Sequence, residues 1–559
     1  MTPSYLLAVP PEIWAQIATL SGRQAIARLS AASYDFYTVF ASILYRNMTD
    51  KPPLHQMSTN LLVRTLRESH SSLKFNPRRL ISRLTLPGSR YLPNELAQCL
   101  GALRNLIDAP WNEQFPGQVV RGAALRAITW DSSTGTDELA DLLSTPGYFP
   151  NLRELSVDCG LDTRFDCFRV PNLEKLRCLL DFQGAGYDEW RHCWRRLRRA
   201  MAALSSSSPL LHSLSLTFDL HVYADSDDRH TNSRIPSWDI DADLKAAINQ
   251  LQLPALTTFE FILYTSGFSV RNPAMDFSPM LRAHPLLTDI TLNIEGNCVP
   301  RDVNTTFLSR LTSFTGTVKN CAAILPQAQA LRHITMLFPG HAAYDIQNIL
   351  PRTKGGEPAA LSPSTLFTPA RFPPRAFPGI VSLDARAVDL AGDDAHWARL
   401  VDPDALACLV AAFPNLVRLD VSGLVEPLHK YYAGLAALQA LEHLGVRVHQ
   451  HRKSTNTDND DGNNDKTTFP PRDAITAEVN DGLRVLPALS SVRVLVWGDP
   501  AVVFIPKGCP SCNGYNEECI WTEYVFRRGG VGEFELELVR EMRDEDQDDS
   551  DEDEQNDGE

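Results

Sequence analysis

Apolar residues recur with one fixed spacing at many places between residues 80 and 500. In each copy, a first apolar residue is followed by others three and five positions later, as in Leu152, Leu155 and Val157. Alternation at the last two positions is typical of a β-strand, and apolar stripes with helical spacing lie between copies. The sequence therefore predicts repeated strand–helix alternation. Clear copies begin at Leu152, Leu211, Leu256, Leu287, Leu331, Leu416, Leu441 and Leu489, and weaker ones at Ile81, Leu125, Leu173, Leu311 and Ile380.

Repeats of this kind bury their apolar faces by stacking on their neighbours. The strand core Leu-x-x-Leu-x-Leu resembles that of leucine-rich repeat proteins, and this resemblance implies an α/β solenoid, or horseshoe, over residues 80–500. The copies are unevenly spaced, so the resemblance is to the irregular type of such solenoids. A doubly wound α/β domain also alternates strands and helices, but it does not repeat one strand motif about a dozen times.

The third and fifth positions of each copy point away from the apolar fourth and sixth positions, because side chains alternate along a strand. These positions are almost all polar, and in a solenoid they form the concave wall that holds a partner. A polar face present only for solubility is the alternative. The predicted substrate-binding residues are Glu154, Ser156, Arg177, Glu260, Asp289, His333, Asp384, Arg418, Asp420, His443 and Arg493.

Residues 1–50 contain three short apolar stripes with helical spacing. The motif resembles the F-box, and this resemblance implies a three-helix module that binds the Skp-type adaptor of cullin-RING ubiquitin ligases. A helical cap on the solenoid is the alternative. The residues that match the F-box pattern, and are therefore expected to bind the adaptor, are Val9, Pro10, Glu12, Ile13, Ile17, Ile26, Leu29, Ser33 and Phe36, followed by Leu44-Tyr45-Arg46.

The remaining segments differ from the repeats in composition. Residues 51–79 are predicted to be a helical connector, and residues 501–540 a C-terminal cap with a hairpin. Three polar or proline-rich insertions, 219–243, 339–378 and 450–471, are predicted to be mobile. The tail, 541–559, holds 12 acidic residues and one arginine, so the other 540 residues have a net charge of only −4. We expect the tail to be disordered and the body to lack strong attraction to nucleic acid.

The sequence offers little catalytic or metal-binding chemistry. It lacks a phosphate-binding Gly-Lys-Ser/Thr loop, His-Glu-x-x-His and Gly-x-Ser-x-Gly, so we expect no catalytic residue, no cofactor and no enzymatic activity. Cys509, Cys512 and Cys519 form the nearest approach to a zinc motif, but a fourth ligand is missing from their neighbourhood, and we expect no metal there. An arginine-rich helix around Trp190 is interpreted as amphipathic with a solvated basic face.

The expected compartment is the cytoplasm, the nucleus or both. The sequence contains no secretory pattern and no apolar run long enough for a bilayer span, so we expect no membrane association. Cysteines such as Cys178, Cys321 and Cys408 lie in apolar periodic segments, which is typical of reduced, buried thiols.

The resulting hypothesis is a substrate-recognition subunit of a cullin-RING ubiquitin ligase. Its expected partners are a Skp-type adaptor, the cullin scaffold and an unknown protein substrate, without nucleic acid. Two alternatives stay open: a leucine-rich repeat scaffold outside ubiquitination, and an acidic-tailed histone-binding protein.

Overall fold

The computed structural model describes most of the repeat region. The described ranges are 125–131, 135–145, 149–160, 162–181, 187–221, 242–266, 275–294, 306–339, 368–388, 403–424, 428–449, 472–497, 520–529 and 533–543, with 47–49, 83–87 and isolated residues of the first 40. The chain divides into two compact units. Unit 1 comprises Met1–Thr231, Asp239–Leu263 and Pro279–Leu287, and unit 2 comprises Asn232–Trp238, Tyr264–Ser278 and Thr288–Glu559.

Unit 1 is built on a sheet whose strands follow one another in sequence order. The pairings from β1 to β6 are parallel. Helices lie between successive later strands, as βα repeats require. The strands are β1 Asn47–Thr49, β2 Arg83–Pro87, β3 Ala127–Asp131, β4 Glu154–Cys159, β5 Lys175–Asp181, β6 Ser213–His221 and β7 Thr258–Ser266; the helices are α1 Thr136–Ser144, α2 Tyr187–Ser207, α3 Ala242–Asn249 and α4 Ser278–Ala283. The last residues of β7 and the first of α4 fall in unit 2.

Unit 2 continues the same alternation with its own parallel sheet. Its final two strands pair antiparallel and form the hairpin predicted at the end of the repeats. The strands are β8 Asp289–Asn293, β9 Ser313–Thr317, β10 His333–Pro339, β11 Ser382–Val388, β12 Arg418–Leu424, β13 His443–His449, β14 Ser491–Trp497, β15 Ile520–Arg528 and β16 Phe534–Arg543; the helices are α5 Val318–Ile324, α6 Pro403–Ala411, α7 Tyr432–Leu435 and α8 Arg472–Val485.

The apolar repeat positions form the core of each unit. Leu176, for example, is 1% exposed, and Leu419 is fully buried. The same holds for the first, fourth and sixth positions of every described copy, including the weaker copies that begin at Leu125 and Leu311. The predicted strand register is therefore confirmed, and burying these side chains stabilises each unit by roughly 1.5–3 kcal/mol per large residue.

A repeated hydrogen-bond step joins successive repeats just before each strand. Two consecutive backbone N–H groups donate to one carbonyl of the preceding repeat, as Arg153 and Glu154 donate to Arg126. The same arrangement recurs in both units. The accepting carbonyls are those of Arg126, Arg153, Glu174 and His212 in unit 1, and Thr288, Thr312, Arg332, Val381, Val417 and Glu442 in unit 2. Each strand therefore begins at the same level as its neighbour, which aligns equivalent side chains across the sheet.

Two predicted boundaries require correction. The insertion 339–378 was expected to be mobile throughout, but its last part, 368–378, packs against the core: Phe372 is fully buried, and the Arg375 N–H donates to the Ala411 carbonyl at 2.7 Å. Burial of one aromatic ring offsets the entropy that the proline-rich composition indicated. The acidic tail was placed from residue 541, but β16 extends to Arg543, where it pairs with Ile520.

Candidate protein-binding strand face

The third and fifth positions of the repeats lie together on one side of each sheet, which we call the strand face. In unit 1, strand register places Arg83, Ala127, Glu154 and Lys175 in one row. The Glu154 Oε1 atom lies 3.2 Å from the Arg83 Nη2 and 3.7 Å from the Lys175 Nζ. Because strands are about 4.8 Å apart, Arg83 reaches Glu154 across β3, where the short Ala127 leaves room.

A second row of unit 1 carries Ser156, Arg177 and Ser215 in register. Arg177 is exposed and Ser156 is half-buried. The Ser215 hydroxyl donates a hydrogen bond of 2.5 Å to the Glu260 carboxylate on β7. This row therefore combines a charged side chain that faces solvent with a carboxylate held in position by a neighbouring strand.

The strand face of unit 2 carries an oriented ion pair. The Arg418 Nε donates to the Asp420 Oδ2 at 2.7 Å, and this hydrogen bond raises the pKa of Arg418. Asp420 lies beside Gly445, its partner on β13, and a Cβ added to Gly445 would overlap the Asp420 Oδ1 atom. The missing side chain at Gly445 thus makes the space in which the carboxylate is held.

All eleven substrate-binding residues predicted from the sequence lie on solvent-accessible positions of the strand face. They are spread along many strands, and none of them is buried. Arg177, His333, Arg418, His443 and Arg493 are exposed, whereas Glu154, Ser156, Glu260, Asp289, Asp384 and Asp420 are half-buried. An extended, mixed-charge surface of this kind is suited to binding a protein partner.

The adaptor-binding residues predicted in the first 50 positions are described only in part. Ile13 is 43% exposed, Ile17 is half-buried and Ile26 is 3% exposed. Phe40, which follows them, is fully buried. The other predicted residues, Val9, Pro10, Glu12, Leu29, Ser33 and Phe36, lie outside the described residues, as do Cys509, Cys512 and Cys519.

Sequence reasoning missed a cluster of three buried cysteines in unit 1, formed by Cys159, Cys167 and Cys178. The Cys159 and Cys178 thiols form hydrogen bonds to Cys167 and lower its pKa to about 5. The hydrogen bond to Cys167 raises the pKa of Cys159, and burial raises that of Cys178. Only Cys178 stood out in the sequence, as an apolar residue, because the three positions belong to no motif with ligand spacing.

The basic helix predicted around Trp190 is α2. Trp194 and Leu197 are buried, whereas Arg195 and Arg199 are exposed. The interpretation as an amphipathic helix is therefore confirmed for the described side chains. No helix of the described residues combines the length and apolar character needed to cross a membrane.

Comparison with known proteins finds likeness in structure alone. No family model matches the sequence, and no curated protein matches it. Three solved structures are similar. The TLR13–ssRNA13 complex matches with TM-score 0.29 and 12% identity over 66% of this chain and 43% of that one. The leucine-rich repeat-containing protein LegL7 from Legionella pneumophila matches with TM-score 0.30 and 12% identity over 64% of this chain and 97% of that one.

The third structure is a leucine-rich repeat protein from Bacteroides thetaiotaomicron, with TM-score 0.21 and 11% identity over 59% of this chain and 40% of that one. The chain therefore spans less than half the length of two of these three proteins. The leucine-rich character of this chain is carried by its own geometry: buried first, fourth and sixth positions on parallel strands that follow one another in order.

Proposed function

We propose that this chain is the substrate-recognition subunit of a cullin-RING ubiquitin ligase. Residues 1–50 bind a Skp-type adaptor, and the strand face binds a protein substrate. Ubiquitin transfer is carried out by partner proteins, and this chain contributes by positioning the substrate.

The strand face carries the binding half of the proposal. Its side chains are charged, accessible and aligned by strand register, and the ion pairs at Glu154 and Asp420 orient carboxylates before any partner arrives. Groups that are already oriented lose less conformational entropy on binding. Such a surface suits a partner with both basic and acidic side chains.

The N-terminal residues support the adaptor half. Ile26 and Phe40 are buried, whereas Ile13 is one of the large apolar side chains that are exposed among the described residues. A small helical module needs buried residues for its own stability, and an exposed isoleucine beside them is typical of a docking contact. Ile13 is also the isoleucine of the Pro-x-Glu-Ile motif that resembles the F-box.

Co-purification with a Skp-type adaptor tests this half. We expect Pro10→Ala combined with Ile13→Ala to abolish adaptor capture by the full chain. The matched control is Leu210→Ala, which removes an apolar side chain that is 61% exposed but belongs to the repeats. Undiminished capture by the double variant would rule out docking through this module and favour the scaffold alternative.

The strand-face half is tested by partner capture in cells. We expect Arg418→Ala to reduce substrate capture without affecting the adaptor. Arg484→Ala is the matched control, because Arg484 is exposed and paired with Asp481 on a helix instead of the strand face. Equal capture by both variants would contradict binding through the strand face. Truncation after Arg543 preserves β16 and reports whether the acidic tail recruits basic partners such as histones.

A further inference from the structure

Three cysteines from three separate elements meet in the interior of unit 1. Cys159 ends β4, Cys167 lies in the 3-10 turn Asp166–Arg169, and Cys178 lies within β5. Their sulfur atoms are all within 4.8 Å of one another, and those of Cys159 and Cys167 are 3.9 Å apart. All three side chains are fully buried.

The distances fit a shared metal ion better than a disulfide. Three sulfurs bound to one ion at about 2.3 Å lie roughly 3.8–4.0 Å apart, whether the geometry is tetrahedral or trigonal. The Cys159–Cys167 distance already has this value. A disulfide requires about 2.05 Å, so these two sulfurs would have to move together by almost half of their separation.

The turn that carries Cys167 is held in an unusual conformation. Phe165, immediately before the turn, has φ 61° and ψ 34°, a left-handed conformation that costs a bulky residue roughly 1–2 kcal/mol. Two salt bridges help to fix the segment: the Arg164 guanidinium contacts Asp137 and Asp166. Backbone strain of this kind persists where the surroundings fix a functional geometry.

A fourth donor lies on α1. The Asp137 Oδ2 accepts a hydrogen bond of 2.7 Å from the Arg164 N–H. Its Oδ1 is shielded from solvent and has no hydrogen-bond partner within the described part of the chain. Asp137 is also near enough for its charge to act on the Cys167 thiol. Zinc accepts three thiolates and a carboxylate oxygen, whereas Cu(I) is satisfied by soft thiolates alone.

We propose that Cys159, Cys167 and Cys178 bind a thiophilic d10 metal ion that ties the turn Asp166–Arg169 to β4 and β5. Thiolates replace thiols at the metal, and the released protons pass to solvent. The site is structural, since the three protein ligands are buried, and it is independent of the proposed ligase function.

The test uses the full chain with Cys509, Cys512 and Cys519 changed to serine, so that this second group of cysteines does not contribute. The reduced, metal-free protein is titrated with Co(II), as a spectroscopic substitute for zinc, and separately with Cu(I). We expect one ion per chain and, with cobalt, an intense sulfur-to-metal charge-transfer absorption. Cys178→Ser should lose both, whereas Cys321→Ser, which alters another fully buried cysteine, should bind normally.

Two further measurements separate the possible outcomes. Asp137→Asn should weaken zinc by roughly 10–100-fold and leave Cu(I) unchanged if Asp137 is the fourth ligand; equal effects on the two ions would exclude that role. X-ray absorption of the zinc-loaded parent chain needs no variant that might misfold, and it should find three sulfur neighbours. Nitrogen and oxygen neighbours only, or the same metal content in Cys178→Ser and Cys321→Ser, would overturn the proposal.

Discussion

Ser208 joins the end of α2 to the segment that leads into β5, and its removal should be unusually costly. The side chain is fully buried. Its hydroxyl donates to the Val170 carbonyl at 2.9 Å and accepts from the Leu173 N–H at 3.2 Å. Ser208→Ala leaves the smaller side chain in place but removes both hydrogen bonds, with no water in contact to replace them.

The size of the effect follows from these two groups. A buried donor or acceptor that loses its partner costs about 1–3 kcal/mol, so the two together should lower the free energy of unfolding by roughly 2–5 kcal/mol. The matched control is Ser206→Ala. The Ser206 hydroxyl donates to the Ala203 carbonyl at 2.8 Å, but it is exposed, so water replaces it and the change should stay within about 0.5 kcal/mol.

Urea denaturation followed by circular dichroism measures both variants. Since the chain contains two compact units, the comparison uses the midpoint of the transition that Ser208→Ala displaces, with its slope unchanged. A loss of stability no greater than that of Ser206→Ala would refute the reasoning, because it would mean that the Val170 and Leu173 groups find other partners or reach water.

Three further predictions concern separate regions. The neutral His284 ring accepts from the Leu253 N–H at 3.1 Å, and burial lowers its pKa below 6.5; its stabilisation is therefore complete above about pH 6.5 and lost as pH falls toward the folded-state pKa, so urea midpoints should decrease less with acidification in His284→Gln. Gly482→Ala should lower the melting temperature, because a Cβ 2.8 Å from the Tyr432 ring costs about 1–3 kcal/mol against a helix gain of about 1 kcal/mol; a rise would contradict this. Gly445→Ala should displace the Asp420 carboxylate and reduce partner capture with a stability change below about 1 kcal/mol, and unchanged capture would refute it.

Local patterns were sufficient to predict the repeat strands. The apolar residues of a copy such as Leu211, Leu214 and Leu216 are close in sequence and are buried together in the structure. Alternation then fixed which side chains of the same strand point outward, so Ser213 and Ser215 were assigned to the polar face correctly. The information lies within six residues, which is why the prediction did not depend on how repeats stack.

Features formed between repeats were not predictable in this way. The contact of Arg83 with Glu154 depends on strand order and on the short Ala127 between them. The three-cysteine cluster likewise depends on the turn between β4 and β5, which bends Cys167 back toward both strands. Composition was misleading where a single anchor dominates, as at the buried Phe372 in a proline-rich segment.

Stability and recognition therefore reside in different residues of the same strands. The Arg83–Glu154 pair is exposed by 57% and 29%, and a pair of this kind contributes at most about 1 kcal/mol. Loss of a buried leucine such as Leu176 costs about 2–5 kcal/mol, although it lies next to Lys175 in the chain. Because the strand face contributes so little to folding, its side chains can be changed without unfolding the unit, and a binding defect in such a variant reports on recognition itself.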